Sequence, residues 1–190
     1  HAGERSLRWL WLTAVIVMLL PSKDESTPRQ VALMGAMVTA ALSIYLLTQF
    51  QRGEAGYQFE VQATWVADWG MSWHLGVDGI SLFMVVLTAV LYPMSILGAR
   101  AGHAPKAYYA WMSLLMAASI GAFVSLNLLL FFLCFEMVLV PMYFLIGRWG
   151  HGNATYSANK FFLYTMFGSA FMLVGLLSLV FLNSQATGRM

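Results

Sequence analysis

The run "AYYAWMSLLMAASIGAFVSLNLLLFFLCFEMVLVPMYFLIG", residues 107–147, constrains this chain more than any other feature. It is apolar almost without interruption. A single helix of that length would extend about 60 Å at a rise of about 1.5 Å per residue, twice the hydrocarbon thickness of a bilayer. The run must therefore fold back on itself, and Ser125–Leu126–Asn127 is the polar place at which it can turn. Two membrane spans follow, over residues 107–125 and 127–147, with Asn127 at the turn.

Composition sets the class. Of the 190 residues, 60% are hydrophobic and only 9% charged, and the mean hydropathy is +0.71. Soluble domains carry about 25% charged residues, so the chain is expected to be an all-α integral membrane protein. A net charge of +2 is too small to imply nucleic acid as a partner. The single cysteine, Cys134, excludes a disulfide framework and a thiolate metal cluster.

About six transmembrane helices are expected in one domain, residues 1–190. They cover roughly 7–21, 31–50, 79–99, 107–125, 127–147 and 156–182, with an external loop over 51–78. Pro21 and "SKDESTPRQ" close the first span, and "GRWGHGNAT" separates the fifth from the sixth. No small-residue cleavage site follows the first apolar core, which is therefore read as a span and not as a cleaved signal. A first residue His1 and an end soon after a long span fit a portion of a longer protein.

The loops after the first, third and fifth spans hold Lys23, Arg29, Arg100, Lys106 and Arg148, against Arg5, Arg8, Arg52 and Arg189 on the other side. The positive-inside rule makes the first set cytoplasmic. In the external loop, "YQFEVQATW" alternates like a short half-buried strand, and Trp65, Trp69 and Trp73 read as an interfacial aromatic belt.

Glu136 is the candidate for chemistry. An acidic side chain at the centre of a span costs about 2.5–3.5 kcal/mol even on lenient scales and marks function by default. Desolvation favours the neutral carboxyl and a nearby cation favours the charged one, so a carboxyl held between the two can load and release a proton. Pro141 cannot donate to the carbonyl of Met137, and a freed carbonyl with a kink beside the acid makes a water site. Tyr143 lies seven positions on, on nearly the same helical face. The plainer reading of Glu136 is a protonated acid bonded to a neighbouring helix.

Other polar residues have modest readings. Lys160 sits about 6 Å inside the cytoplasmic boundary, whereas Glu136 is about 17 Å deep by the same helical rise. Lys160 is thus a snorkelling anchor or a water-linked partner of the glutamate. Asp78 stands where an apolar span begins, as a helix N-cap or an ion entrance. His74 is interfacial, and His103 and His151 lie in loops without ligand-spaced partners. No metal, nucleophile or phosphate-loop pattern is present.

"HLGVDGISLFMVVLTA", "LLLFFLCFEMVLVPMYFLIGRWG" and "ANKFFLYT" together resemble the antiporter-like membrane subunits of proton-pumping NADH–quinone oxidoreductase, respiratory complex I. The resemblance is to the branch called chain M in bacteria and subunit 4 in mitochondria. It runs from about residue 30 to the end, and "FEMVLVPMYFLIGRWG" is its most specific part. It implies a fold of about fourteen helices with inverted five-helix repeats, of which this chain supplies the first six. It makes Glu136 a proton-channel residue partnered by a lysine on a seventh helix, with Lys160 secondary. It also implies that the chain binds no cofactor itself. NADH, FMN, iron–sulfur clusters and quinone would belong to partner subunits, and its own neighbours would be membrane-arm subunits and lipid. A bacterial inner membrane is the expected location, ahead of the mitochondrial inner membrane. Two positions depart from the pattern: Met116 where some relatives carry a second acid, and Phe135 where many carry Trp. A cation/proton antiporter subunit, a membrane-bound hydrogenase subunit and a scaffold segment that transports nothing are the rival readings.

Overall fold

The computed structural model describes residues 26–51, 56–66 and 71–187. Five helices account for most of them: α1 (Ser26–Gln49), α2 (Gly79–Gly98), α3 (Pro105–Val124), α4 (Leu128–Trp149) and α5 (Ala154–Thr187). All five are long and apolar enough to cross a membrane. The span expected over 7–21 lies outside the described residues, as does Trp69 of the expected aromatic belt.

α1 is described from Ser26, with Pro28 in its first described turn, and overlaps the span expected over 31–50. Its Arg29 donates to the Leu97 carbonyl at 2.7 Å, placing a cation at the C-terminal end of α2. α5 is described as far as Thr187, and its apolar stretch, Ala154–Asn183, lies over the span expected at 156–182.

α3 is the central helix, packed against α1, α2 and α4, while α5 packs mainly against α4. Small residues permit the close approaches. Ala32, Ala36, Ala40 and Ser43 form the buried stripe of α1, and Leu82, Val85, Ala89 and Ile96 that of α2. In lipid the apolar surroundings offer no hydrophobic drive between helices, so such close packing carries the association. Gly121 of α3 meets Cys134 of α4, where an added Cβ would lie 3.0 Å from the sulfur.

The loop between α1 and α2 contains a two-stranded antiparallel ribbon, β1 (Gln58–Val66) and β2 (Met71–Val77), with Val61 opposite Leu75 and Gln62 opposite His74. The expected strand is β1; its partner β2 carried no clear alternation and was not anticipated. The ribbon lies on the α3–α4 turn. The Leu126 N–H donates to the His74 carbonyl at 3.0 Å, and Leu75 bridges to Ser125. Contact is so close that a Cβ on Gly76 would fall 2.7 Å from Leu126 Cδ1. His74 Nε2 pairs with Glu60 Oε2 at 3.3 Å.

Two side chains start helices at this membrane surface. Asn127 Oδ1 accepts from the N–H groups of Leu129 and Leu130 at 2.9 and 3.5 Å and caps α4. Asp78 Oδ1 accepts from Ser81 and Ile80 at 2.6 and 3.0 Å, and Ser81 Oγ accepts from the Asp78 N–H at 3.0 Å, a reciprocal capping box on α2. Replacing Asn127 with Ala is expected to cost about 1 kcal/mol in thermal or chemical unfolding. The Asp78 carboxyl is held below its ordinary value of 3.8, chiefly by the Ser81 backbone bond. A depressed folded value means that the cap stabilises fully above the unfolded value and loses its effect as pH falls through the folded one. Unfolding temperatures measured from about pH 3 to 6 should therefore fall on the acid side. The Asp78→Asn variant, which caps without titrating, should show a shallower acid limb than the wild type.

Candidate functional site

Glu136 lies nine residues into α4, about 13 Å along the helix from the Asn127 turn. Its surroundings follow from helical angles of about 100° per residue. Cys134, Leu130 and Pro141 share the face of α4 turned to α3, and Pro141 is fully buried there in a helix that continues through it. Glu136 falls on the other side, between Tyr143 and Gly147. Those two residues meet α5: the Tyr143 hydroxyl donates to Asn159 Oδ1 at 3.1 Å, and a Cβ on Gly147 would lie 3.3 Å from Ala158 Cβ. Glu136 is therefore placed at the seam between α4 and α5. Its Oε1 is buried and has no hydrogen-bond partner among the described residues.

That orphaned oxygen is the main electrostatic fact of the site. Burying a carboxyl oxygen without a bond is costly in any apolar setting, and no described cation relieves it. No ion pair joins it to Lys160, and helical angles explain why. Ala158 is buried against α4, and Lys160 lies about 200° around α5 from it, exposed on the far side. Tyr143 shares the face of Glu136, but seven residues of rise separate them by about 10 Å, and its hydroxyl is used by Asn159. Asp78 and Asn127 serve as helix caps at the ribbon-side surface. Met116, where some relatives have an acid, is fully buried in α3.

Sequence reasoning missed Ser169. On α5, whose membrane segment is otherwise largely bare, Ala158 and Ser169 are buried, Ser169 to 5% exposure. The signal was available in the spacing. Ala158, Phe162, Thr165 and Ser169 repeat at four, three and four, which is one face of a helix. The helices run antiparallel, with Gly147 against Ala158 and Tyr143 against Phe162, whose rings lie 5.5 Å apart. Continuing that register brings Ser169 to the level of Glu136. Near the helix ends, an open groove of about 290 Å³ is lined by Tyr143, Asn159, Phe162 and Leu163.

At the opposite surface from the ribbon, the α2–α3 loop is clasped to the end of α4. His103 stacks on Trp149 with ring centroids 5.5 Å apart, and Trp149 Nε1 donates to the His103 carbonyl at 2.8 Å. His103 Nε2 lies 2.9 Å from the Arg148 carbonyl. Among the described residues no group of three His, Cys, Asp or Glu side chains could hold a metal ion.

Comparison with known proteins places this arrangement. Residues 125–188, which contain the whole α4–α5 hairpin, match the family described as "NADH:quinone oxidoreductase/Mrp antiporter, TM". NADH-quinone oxidoreductase subunit M of Rickettsia prowazekii is 42% identical over 175 residues, covering 89% of this chain and 36% of the relative. NAD(P)H-quinone oxidoreductase chain 4 1 of Synechococcus elongatus is 38% identical over 182 residues, covering 90% and 34%. The chain thus spans about a third of the length of these relatives. Two solved structures share the fold. An archaeal membrane-bound sulfane sulfur reductase matches with a TM-score of 0.78 at 19% identity, covering 98% of this chain and 37% of that one. Respiratory complex I from Thermus thermophilus with bound NADH matches with a TM-score of 0.74 at 24% identity, covering 93% and 35%. Apolar helices, antiporter-like fold and sequence agree over the region spanned: residues 125–188 belong to the NADH:quinone oxidoreductase/Mrp antiporter transmembrane family, and the chain as a whole is similar to these subunit M and chain 4 relatives.

Proposed function

We propose that this chain forms part of a proton-translocating membrane-arm subunit of a complex I-type NADH–quinone oxidoreductase, and that Glu136 is its proton-carrying group. The observation that carries the reading is the buried, unbonded Oε1 of Glu136 at a helix–helix seam. A structural acid would be expected to hold a bond. An acid kept without one has an oxygen open to water or to a partner brought to the seam, which a proton carrier needs. The names of the relatives supply the coupling: NADH oxidation and quinone reduction elsewhere in the complex alter those surroundings.

On this reading the cation that stabilises the charged form comes from outside the described residues, since Lys160 faces away. NADH, FMN, iron–sulfur clusters and quinone belong to partner subunits, and the redox centres are not in this chain. Its neighbours are other membrane-arm subunits and lipid, and the membrane is a bacterial inner membrane, as the Rickettsia and cyanobacterial relatives favour. The family description also covers Mrp antiporters. Purification of the native assembly separates the two, since only the first co-purifies with NADH-oxidising subunits.

Two substitutions test the role of Glu136. Glu136→Gln keeps shape and removes ionisation, and proton uptake by vesicles containing the assembled complex should fall to background. Normal pumping by this variant would refute the proposal. Glu136→Leu should leave the detergent-solubilised protein as stable as the wild type or more so, by up to about 1–3 kcal/mol, the cost of an unbonded buried polar group. A loss of that size in its unfolding temperature series would instead mark Glu136 as a structural residue.

A further inference from the structure

We propose that the α4–α5 seam is the path by which Glu136 exchanges its proton with the aqueous side bearing Arg148, with Ser169 as the inner polar step and the Tyr143–Asn159 pair as the outer one. The proposal rests on the proton-carrying role of Glu136 and adds the route and three residues to it.

Three observations meet at the seam. The first is the Glu136 oxygen that is buried without a partner, on the α5-facing side of α4. The second is Ser169, buried on the α5 stripe that holds Ala158 and brought to the level of Glu136 by continuing the Gly147–Ala158 and Tyr143–Phe162 register. Its hydroxyl hydrogen is given to the Met166 carbonyl at 3.0 Å, which leaves its oxygen lone pairs turned to accept. A protonated Glu136 can donate to that oxygen, directly or through one water, while the ionised form cannot. Ser169 therefore fixes where the acidic hydrogen points. The third is the Tyr143–Asn159 bond, about 10 Å along α4 from Glu136 toward Trp149. It stands beside a groove of about 290 Å³, room for several waters at about 30 Å³ each. Between the two steps the seam is otherwise apolar, apart from Thr165, whose hydroxyl is returned to the carbonyls of Phe161 and Phe162 at 2.7 and 3.1 Å.

The small residues on the seam are consistent with a path that water can enter. Gly147 against Ala158 brings the helices together near the Arg148 end, so the backbones there cannot separate to admit solvent at random. Water is admitted beside them, at the polar pair. The chemistry is only O–H exchange. Glu136 gives its proton to seam water, the excess charge passes outward along hydrogen bonds, and a proton returns by the same route. Tyr143, Asn159 and Ser169 are positioning residues, unchanged at the end of each cycle.

The test uses the assembled complex in vesicles, with NADH oxidation, proton uptake and the infrared carboxyl band of Glu136 all recorded. Ser169→Ala should lower the coupled pumping rate by about tenfold, the effect of one lost hydrogen bond of ordinary strength. It should also move the protonated-carboxyl band to higher frequency, and Ser169→Thr should restore both. Asn159→Leu should slow pumping by a similar factor and slow deuterium exchange of the Glu136 carboxyl, leaving the band position unchanged. If Asn159→Leu does not assemble, Tyr143→Phe removes the same bond while keeping the ring against Phe162. If Glu136→Gln abolishes pumping while Ser169→Ala and the outer-step variant match the wild type in rate, band and exchange, the seam route is wrong and the role of Glu136 stands. If Glu136→Gln pumps normally, the underlying role fails as well.

Discussion

The fold depends on the turn at residues 125–127. An apolar run too long for one crossing has to reverse, and the reversal is secured from both sides: Asn127 caps the helix that leaves it, and the ribbon holds it through the Leu126–His74 hydrogen bond and the Leu75–Ser125 bridge. Because the turn is fixed in position, so is the depth of everything counted from it. Glu136 lies about 13 Å along α4 as a direct consequence. Sliding the turn by one residue would rotate the glutamate about 100° around the helix, out of the seam and toward either α3 or lipid.

Depth alone does not choose the neighbour; the small residues do. Gly121 lets the Cys134 side of α4 close against α3, and Gly147 lets the opposite side close against Ala158 of α5. With one face of α4 committed to α3 and the other to α5, the glutamate belongs to the second interface. Among the described elements α5 leans on α4 and on little else. At that seam the Glu136 Oε1 is left buried and without a bond among the described residues.

Much of this was legible in the sequence. Length arithmetic gave the hairpin and its turning residue, and the lone acid in an apolar run is the residue whose oxygen the structure leaves buried without a bond. Two things were not legible, for different physical reasons. Strand β2 was missed because "MSWHLGV" takes its order from pairing with β1 and from resting on Leu126, both of which are long-range. Ser169 was passed over because a serine in an apolar helix can satisfy itself on its own turn, as its bond to Met166 shows. Its importance lies in burial opposite Glu136, which appears only once the register of the two helices is known.

The same register decides between the two polar residues that sequence reasoning offered as companions of Glu136. Lys160 was judged too shallow from depth alone, and the structure adds a second reason, since it lies on the side of α5 away from α4. A cation there can hold the end of α5 at the membrane surface but has no line to the carboxyl. Tyr143 is on the right face yet a turn and a half or more too far, so its hydroxyl reaches α5 instead of the acid. Neither residue can therefore neutralise or bond Glu136 directly. The polar side chain that the register of α4 and α5 brings to the level of Glu136 is Ser169, a neutral hydroxyl buried on the stripe of α5 that faces α4.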